Sequence, residues 1–136
     1  MEALKQNKIP SHLGKDVALD PSLELCFPFE LNRDVSCCLQ LINKAASSIA
    51  FNISIDPNKY RAKPNKGILA PWSNYYIILT LRAQTKAPPN MVCHDMAVLQ
   101  STRVPEGFTS EEISQDFLKE ARAVDVEMLR IVYVPM

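Results

Sequence analysis

The sequence predicts an all-β fold: an immunoglobulin-like, seven-stranded antiparallel β-sandwich with one short late helix. Three observations predict it. Runs of alternating apolar and polar residues recur about every ten positions, the period-2 signature of half-buried strands. Ten prolines stand against three glycines among 136 residues, which suits short strands with stiff connections better than a helical bundle. A single helix-start signal, Thr109-Ser110-Glu111-Glu112, lies near the end of the chain. The length fits one domain over residues 16–136, preceded by a polar, unpatterned, flexible arm over residues 1–15.

The elements follow in order. Val17 and Leu19 form a short edge strand ended by Asp20-Pro21. Leu23, Leu25 and Phe27 alternate with Glu24 and Cys26 in a second strand that Pro28 stops. After a turn at Asn32-Arg33-Asp34, Cys37, Leu39 and Leu41 share one face of a strand over Ser36–Ile42. Phe51, Ile53 and Ile55 alternate with Asn52, Ser54 and Asp56 until Asp56-Pro57 breaks the ladder. A cationic loop then carries Lys59, Arg61, Lys63 and Lys66, with a tight turn at Pro64-Asn65-Lys66-Gly67 and a short returning strand at Ile68-Leu69.

Ser73–Arg82 (SNYYIILTLR) is the strongest strand signal, and its two apolar faces mark it as central. Tyr75, Ile77, Leu79 and Leu81 face the core. Thr85–Asn90, with Pro88-Pro89, is a rigid connector to a strand over Val92–Thr102. Ala97 and Leu99 take one side of that strand, Met96 and Val98 the other. Thr109 and Glu112 make a capping box for a helix of about three turns, with Ile113, Phe117 and Ala121 on its apolar stripe. Leu129, Ile131 and Tyr133 share one face of the last strand.

Composition narrows the function classes. Fifteen basic and fifteen acidic residues cancel, so no global field draws nucleic acid or anionic lipid. No signal-peptide core or membrane-span-length apolar run is present, which places the expectation at a cytoplasmic domain with reduced thiols. Cys26, Cys37, Cys38 and Cys93 form no CxxC pair and with His94 match no zinc-ligand spacing, so no metal site is expected. Cys93 and His94, as strand neighbours, point to opposite faces and make a poor thiolate–imidazole couple. Glu111-Glu112 and Asp125/Glu127 are explained by capping and a solvated strand start. No catalytic residue and no cofactor is expected. The features left for function are the polar face of the Phe51–Asp56 strand, the Lys59–Lys66 cations and Trp72, and they point to a binding surface.

The residues also carry a family resemblance. LELCFPFEL over residues 23–31 and LQLINK over 39–44 come first, then PNKYRAKPNKGIL over 57–69. AQ-x-KAPPNM follows from Ala83, LQS from Leu99, and the final strand reads LRIVYV. This order resembles the major sperm protein (MSP) domain, most closely in the form found in plant VAMP-associated proteins. FPFE at Phe27–Glu30 also resembles kinase-fused plant MSP domains. The resemblance implies a seven-stranded immunoglobulin-like sandwich without enzymatic activity that binds short linear peptides. Those peptides carry two phenylalanines in an acidic tract (the FFAT motif), and binding recruits trafficking or lipid-transfer partners to the cytosolic face of the endoplasmic reticulum. Membrane attachment is implied only indirectly, through a tail anchor beyond this sequence.

By the same resemblance the peptide site comprises Lys44, Asn52, Ser54, Ile55, Asp56, Lys59, Lys63, Met96 and Val98, and the Asp56-Pro57 bond is expected to be cis. The family's Lys-Val-Lys-Thr-Thr becomes Asn52-Ile53-Ser54-Ile55-Asp56, and a further family lysine falls at Met96. Three cations are lost and one anion gained, which at about 0.5–1 kcal/mol per partly screened pair weakens the preference for strongly acidic motifs. Two alternatives use the same fold: self-association into a homodimer or larger assembly, as in sperm filaments, or partner recognition as in the kinase fusions. A third places phosphate or lipid headgroups on Lys59–Lys66.

Overall fold

Alternation along the strands decides what the core contains. In the computed structural model, which describes residues 16–120 and 124–135, the chain forms two facing sheets. The arm over residues 1–15 lies outside the described residues. One sheet holds β1 (Val17–Asp20), β3 (Val35–Asn43), β7 (Asn74–Leu81) and β5 (Tyr60–Lys63), in that order. The other runs β2 (Glu24–Phe29), β9 (Asp125–Pro135), β8 (Met96–Val104), β4 (Ser48–Ser54) and β6 (Lys66–Leu69). Their inner faces bury Leu39, Leu41, Ile77 and Leu79 against Phe27, Phe51, Leu99 and Ile131. The sandwich, the central place of β7 and the face assignments of β3 and β8 are as the sequence predicts.

Nine strand segments replace the expected seven because the Lys59–Leu69 stretch is no loop. Tyr60–Lys63 joins one sheet as β5, and the chain then crosses to the other as β6. Lys66-Gly67 is therefore strand, not turn. Gly67 sits opposite Phe51, and a Cβ there would lie 2.9 Å from Phe51 Cε2. The missing side chain makes room for that buried ring. The sandwich is also not wholly antiparallel: β2 runs parallel to β9, with Pro28 inside it opposite Val134. An edge strand tolerates proline because one side of it has no ladder to satisfy.

Three further expectations are corrected. The cis peptide bonds among the described residues are Asp20-Pro21 and Lys63-Pro64, and Asp56-Pro57 is not one of them. The turn there is closed instead by Asp56, whose carbonyl accepts from Lys59 and Tyr60 amides at 3.2 and 2.9 Å. β8 begins at Met96 rather than Val92, because Asn90 and Met91 take positive φ in a 3-10 turn and delay the strand. The late helix breaks in two. Thr109 and Glu112 close a 3-10 turn over Ser110–Glu112, Ile113 is extended, and α1 (Gln115–Glu120) starts afresh under Ser114, whose Oγ accepts from the Phe117 amide at 2.9 Å. A second capping residue five positions on offered the backbone a second start. Ile113 and Leu118 form the buried stripe, and Ala121 lies outside the described residues.

This helical segment positions the site. Ile113 and Leu118 pack on Ala50 and Val104, covering one half of the outer face of the β4–β8 sheet, and Lys66 Nζ donates to the Ile113 carbonyl at 3.1 Å. The other half, toward Ser54 and Met96, stays open.

Candidate functional site

On the open half, register fixes the neighbours. Ser54 lies opposite Val98, which lies opposite Met128; Asn52 lies opposite Gln100, and Met96 opposite Arg130. Partners directly across a ladder share a face, so Asn52, Ser54, Met96 and Val98 make one surface. Ser54 Oγ donates to Asn52 Oδ1 at 3.3 Å. Past Ser54 the chain leaves the sheet through Ile55, Asp56 and Pro57. There it helps line a cleft of about 490 Å³, whose lining includes Asn52, Ser54, Ile55 and Pro57 together with Arg61 and Arg82. Asp56 Oδ1 accepts from the Asn58 amide at 3.0 Å, so this carboxylate shapes the turn.

The remaining candidates lie elsewhere. Lys44 follows β3, and its amide donates to the Asp16 carbonyl at 2.7 Å. It belongs to the end where β4 begins, about 20 Å of strand away from Ser54 at about 3.3 Å per residue. Lys63 pairs in register with Ile78, on the outer face of the other sheet. Lys59 is half-buried and tied down. Its Nζ donates to Asp95 Oδ2 at 2.8 Å, and the same oxygen accepts from Tyr60 Oη at 2.6 Å. The Tyr60 and Tyr133 hydroxyls are 2.6 Å apart, and Lys59 Nζ sits 5.8 Å from both ring centroids.

The electrostatics of this cluster follow from those contacts. Burial works against both ions of the Lys59–Asp95 pair, but hydrogen bonds outweigh it. Asp95, bonded by Lys59 and Tyr60, is held below its ordinary value, and Lys59, bonded to Asp95, is held above its own. Burial pushes the Tyr60 hydroxyl far up, so it stays protonated and donates. Burial likewise pushes the Cys37 thiol up to about 12, with Cys26 and Cys38 adding to it, which leaves it a poor nucleophile at neutral pH.

Of the arginines lining the cleft, the sequence reading names Arg61 only as one of the Lys59–Lys66 cations and does not place it in the peptide site, and it misses Arg82. The signal was present: Tyr60 and Ala62 are the apolar members of Tyr60–Lys63, so Arg61 must face outward. Treating the stretch as loop hid that alternation.

The matching sequence profile is that of the MSP (major sperm protein) domain, over residues 16–123. The chain belongs to the MSP domain family. Vesicle-associated protein 1-3 of Arabidopsis thaliana is 40% identical over 126 residues, covering 90% of this chain and 52% of its own length. Vesicle-associated protein 1-1 of the same plant is 39% identical over 115 residues, at 82% and 45%. The chain thus spans about half the length of these relatives. Vesicle-associated protein 3-1, also of Arabidopsis thaliana, is 34% identical over 113 residues, at 81% and 76%. Among solved structures, WR4, an MSP family member of C. elegans, superposes with a TM-score of 0.63 at 15% identity, covering 88% of this chain and 98% of that one. The nematode MSP-domain protein SSP-19 superposes at 0.61 and 22% identity, at 85% and 98%. At such identities the superpositions speak for the fold alone.

Among the described residues of this MSP domain no group of three or more His, Cys, Asp and Glu side chains is placed to hold a metal ion. The Cys93 thiol lies 3.8 Å from Tyr60 Oη and accepts from the Asp95 amide at 3.4 Å, while His94 is exposed. Trp72 is exposed at a positive φ of 60°. Among the described residues no helix is long and apolar enough to cross a membrane.

Proposed function

We propose that this MSP domain is a non-enzymatic adapter that binds short linear peptides, of the two-phenylalanine FFAT-like kind, on the open half of the β4–β8 face. In a cell it would recruit trafficking or lipid-transfer partners to endoplasmic reticulum contact sites. The observation that carries this reading is the juxtaposition of an apolar strand surface, exposed Met96 and half-buried Val98, with the adjoining cleft at Ser54 and Ile55. Such a surface can seat aromatic side chains while strand-end hydroxyl and amide groups bond the peptide backbone. Asn52, Ser54, Met96 and Val98 include no cation, so this strand surface favours the apolar core of a motif over a long acidic tract. Lys59 and Lys66 are spent on Asp95 and the Ile113 carbonyl. Titration of the isotope-labelled chain with a two-phenylalanine peptide tests the reading by NMR. Micromolar binding should shift Asn52, Ser54, Ile55, Met96 and Val98, and an unperturbed β4–β8 surface refutes it.

A specific observation favours self-association as a second reading. Leu23 is 74% and Met128 56% exposed, and both line a groove of about 710 Å³ with Pro21 and Cys26 on the β2–β9 side of the same sheet. Glu24 and Arg130, ion-paired at 3.5 Å, are among the lining residues too, so the exposed apolar groups Leu23 and Met128 are what a second copy would cover. Light scattering that shows a monomer at millimolar concentration removes this reading.

A further inference from the structure

We infer that the cleft beside Ser54 receives an acidic side chain of the bound peptide between Arg61 and Arg82. This rests on the adapter reading and adds to it the two residues of this chain, both outside the strand surface, that select one acidic position. Register places the two arginines together. Arg61 lies opposite Thr80 across β5–β7, and Arg82, two residues beyond, donates its amide to the Lys59 carbonyl at 2.9 Å. The pair is therefore diagonal on the outer face of that sheet at the edge strand β5, the face Lys63 shares, and both arginines are among the residues lining the cleft.

Of the five described arginines, three hold carboxylates: Arg33 with Glu30 at 3.2 Å, Arg103 with Asp16 at 2.7 Å and Arg130 with Glu24 at 3.5 Å. Arg61 and Arg82 have no ion-pair partner among the described residues. Acids are close by, but their carboxylates are turned to backbone amides, Asp34 to Ala83 at 2.8 Å and Asp56 to Asn58 at 3.0 Å. Both arginines border a cleft whose lining is otherwise polar at Asn52 and Ser54 and apolar at Ile55 and Pro57. Two planar five-donor forks match a carboxylate in geometry and sign. An acidic residue beside an apolar one completes the cleft. The cations missing from the strand surface are thus supplied across it from the other sheet, and they select one acidic position rather than a tract.

Calorimetry on the full chain with capped twelve-residue peptides tests this. One peptide carries two phenylalanines with glutamate flanks, a second the same phenylalanines with glutamine flanks, and a third glutamate flanks with alanines for the phenylalanines. The first should bind about five- to tenfold tighter than the second at low salt, and the gap should close as salt rises. R61Q/R82Q should narrow the gap to less than about twofold while the neutral peptide's affinity and the chain's melting temperature stay unchanged. Equal binding of the first two peptides by the native chain, or an undiminished gap in R61Q/R82Q, overturns the inference and leaves the adapter reading standing. If neither phenylalanine peptide binds but the third binds through the arginines, the adapter reading falls and the acidic-partner inference survives. If no peptide binds, or only vesicles containing anionic lipid do, both fall. Binding only after a glutamate is replaced by phosphoserine overturns the carboxylate assignment.

Discussion

Lys59 and Arg61 lie two residues apart at the entry to one edge strand, and the fold uses them in opposite ways. Lys59 turns toward the core, where Asp95, Tyr60 and Tyr133 hold it by short hydrogen bonds and two aromatic faces. Arg61 faces outward beside the cleft and meets no carboxylate among the described residues. A half-buried cation with its partner in place is part of the framework, because breaking it strands the partner. An exposed cation without one costs the fold nothing and is available to a ligand. Charge alone therefore says little about a site. What matters is which cations the fold has left unmatched.

The contrast can be broken first on its structural side, where the largest effect is expected. Tyr60 is the largest fully buried side chain, with its ring 5.6 Å from that of Phe27 and its hydroxyl joining Asp95 to Tyr133. Tyr60→Ala empties that position and should cost about 3–5 kcal/mol in chemical denaturation. A loss under about 1 kcal/mol would show that β5 is not anchored through this ring.

Asp95→Asn should cost less, about 1–3 kcal/mol, by weakening the bonds to Lys59 and Tyr60 while keeping the shape. Here pH sharpens the contrast. The Asp95 pKa is lowered in the folded chain, so its contribution is present above the unfolded value near 3.8 and fades as pH falls through the folded one. Lys59, raised above 10.5, contributes below that value and loses its contribution as pH climbs through the folded one. The stability gap between native chain and variant should be flat between the two limits and shrink outside them. A gap that widened in acid would mean that Asp95 is not ionised in the folded state.

How far the sequence discloses these two regions follows from their physics. β3, β7 and β9 are legible because side-chain alternation against one core is local information, as at Leu39 and Leu41 or Leu129 and Ile131. The split of Lys59–Leu69 into strands on opposite sheets is not, because it depends on Phe51 needing the space at Gly67 and on Tyr60 reaching Tyr133, 73 residues later. The late helix fails for a local reason, since Ser114 competes with Thr109 as a cap. At the candidate site, strand parity puts Asn52 and Ser54 on one face of their strand and Met96 and Val98 on one face of theirs, while the β4–β8 register joins the two. Lys44, Lys59 and Lys63 join them only through the family resemblance, and the three-dimensional register separates them. Arg61 and Arg82 lie 21 residues apart in the chain and become neighbours only through the β5–β7 pairing.

A matched pair of substitutions then tests the contrast itself. Lys59→Gln should lower stability by about 1 kcal/mol and leave the binding of an acidic two-phenylalanine peptide unchanged. Arg61→Gln should leave stability within about 0.5 kcal/mol and weaken that binding about three- to fivefold. Denaturation and calorimetry on the same two variants decide it. The division between framework and cleft fails if both lose stability alike or both lose affinity alike.

The smallest effect is expected at the strand surface. Ser54→Lys places an ammonium opposite Val98, at the mouth of the cleft, where Ser54 is exposed and its one hydrogen bond is a 3.3 Å contact to Asn52. Stability should stay within about 0.5 kcal/mol. If the strand surface lacks only charge, binding of the glutamate-flanked peptide should rise about two- to fivefold at low salt and the glutamine-flanked one should not respond. A loss of affinity for both peptides would have another cause: the surface around Val98 holds the apolar part of the peptide, and a hydrated ammonium there keeps it out. The two outcomes move the neutral peptide differently, so that peptide's affinity tells a missing charge from an occupied apolar seat.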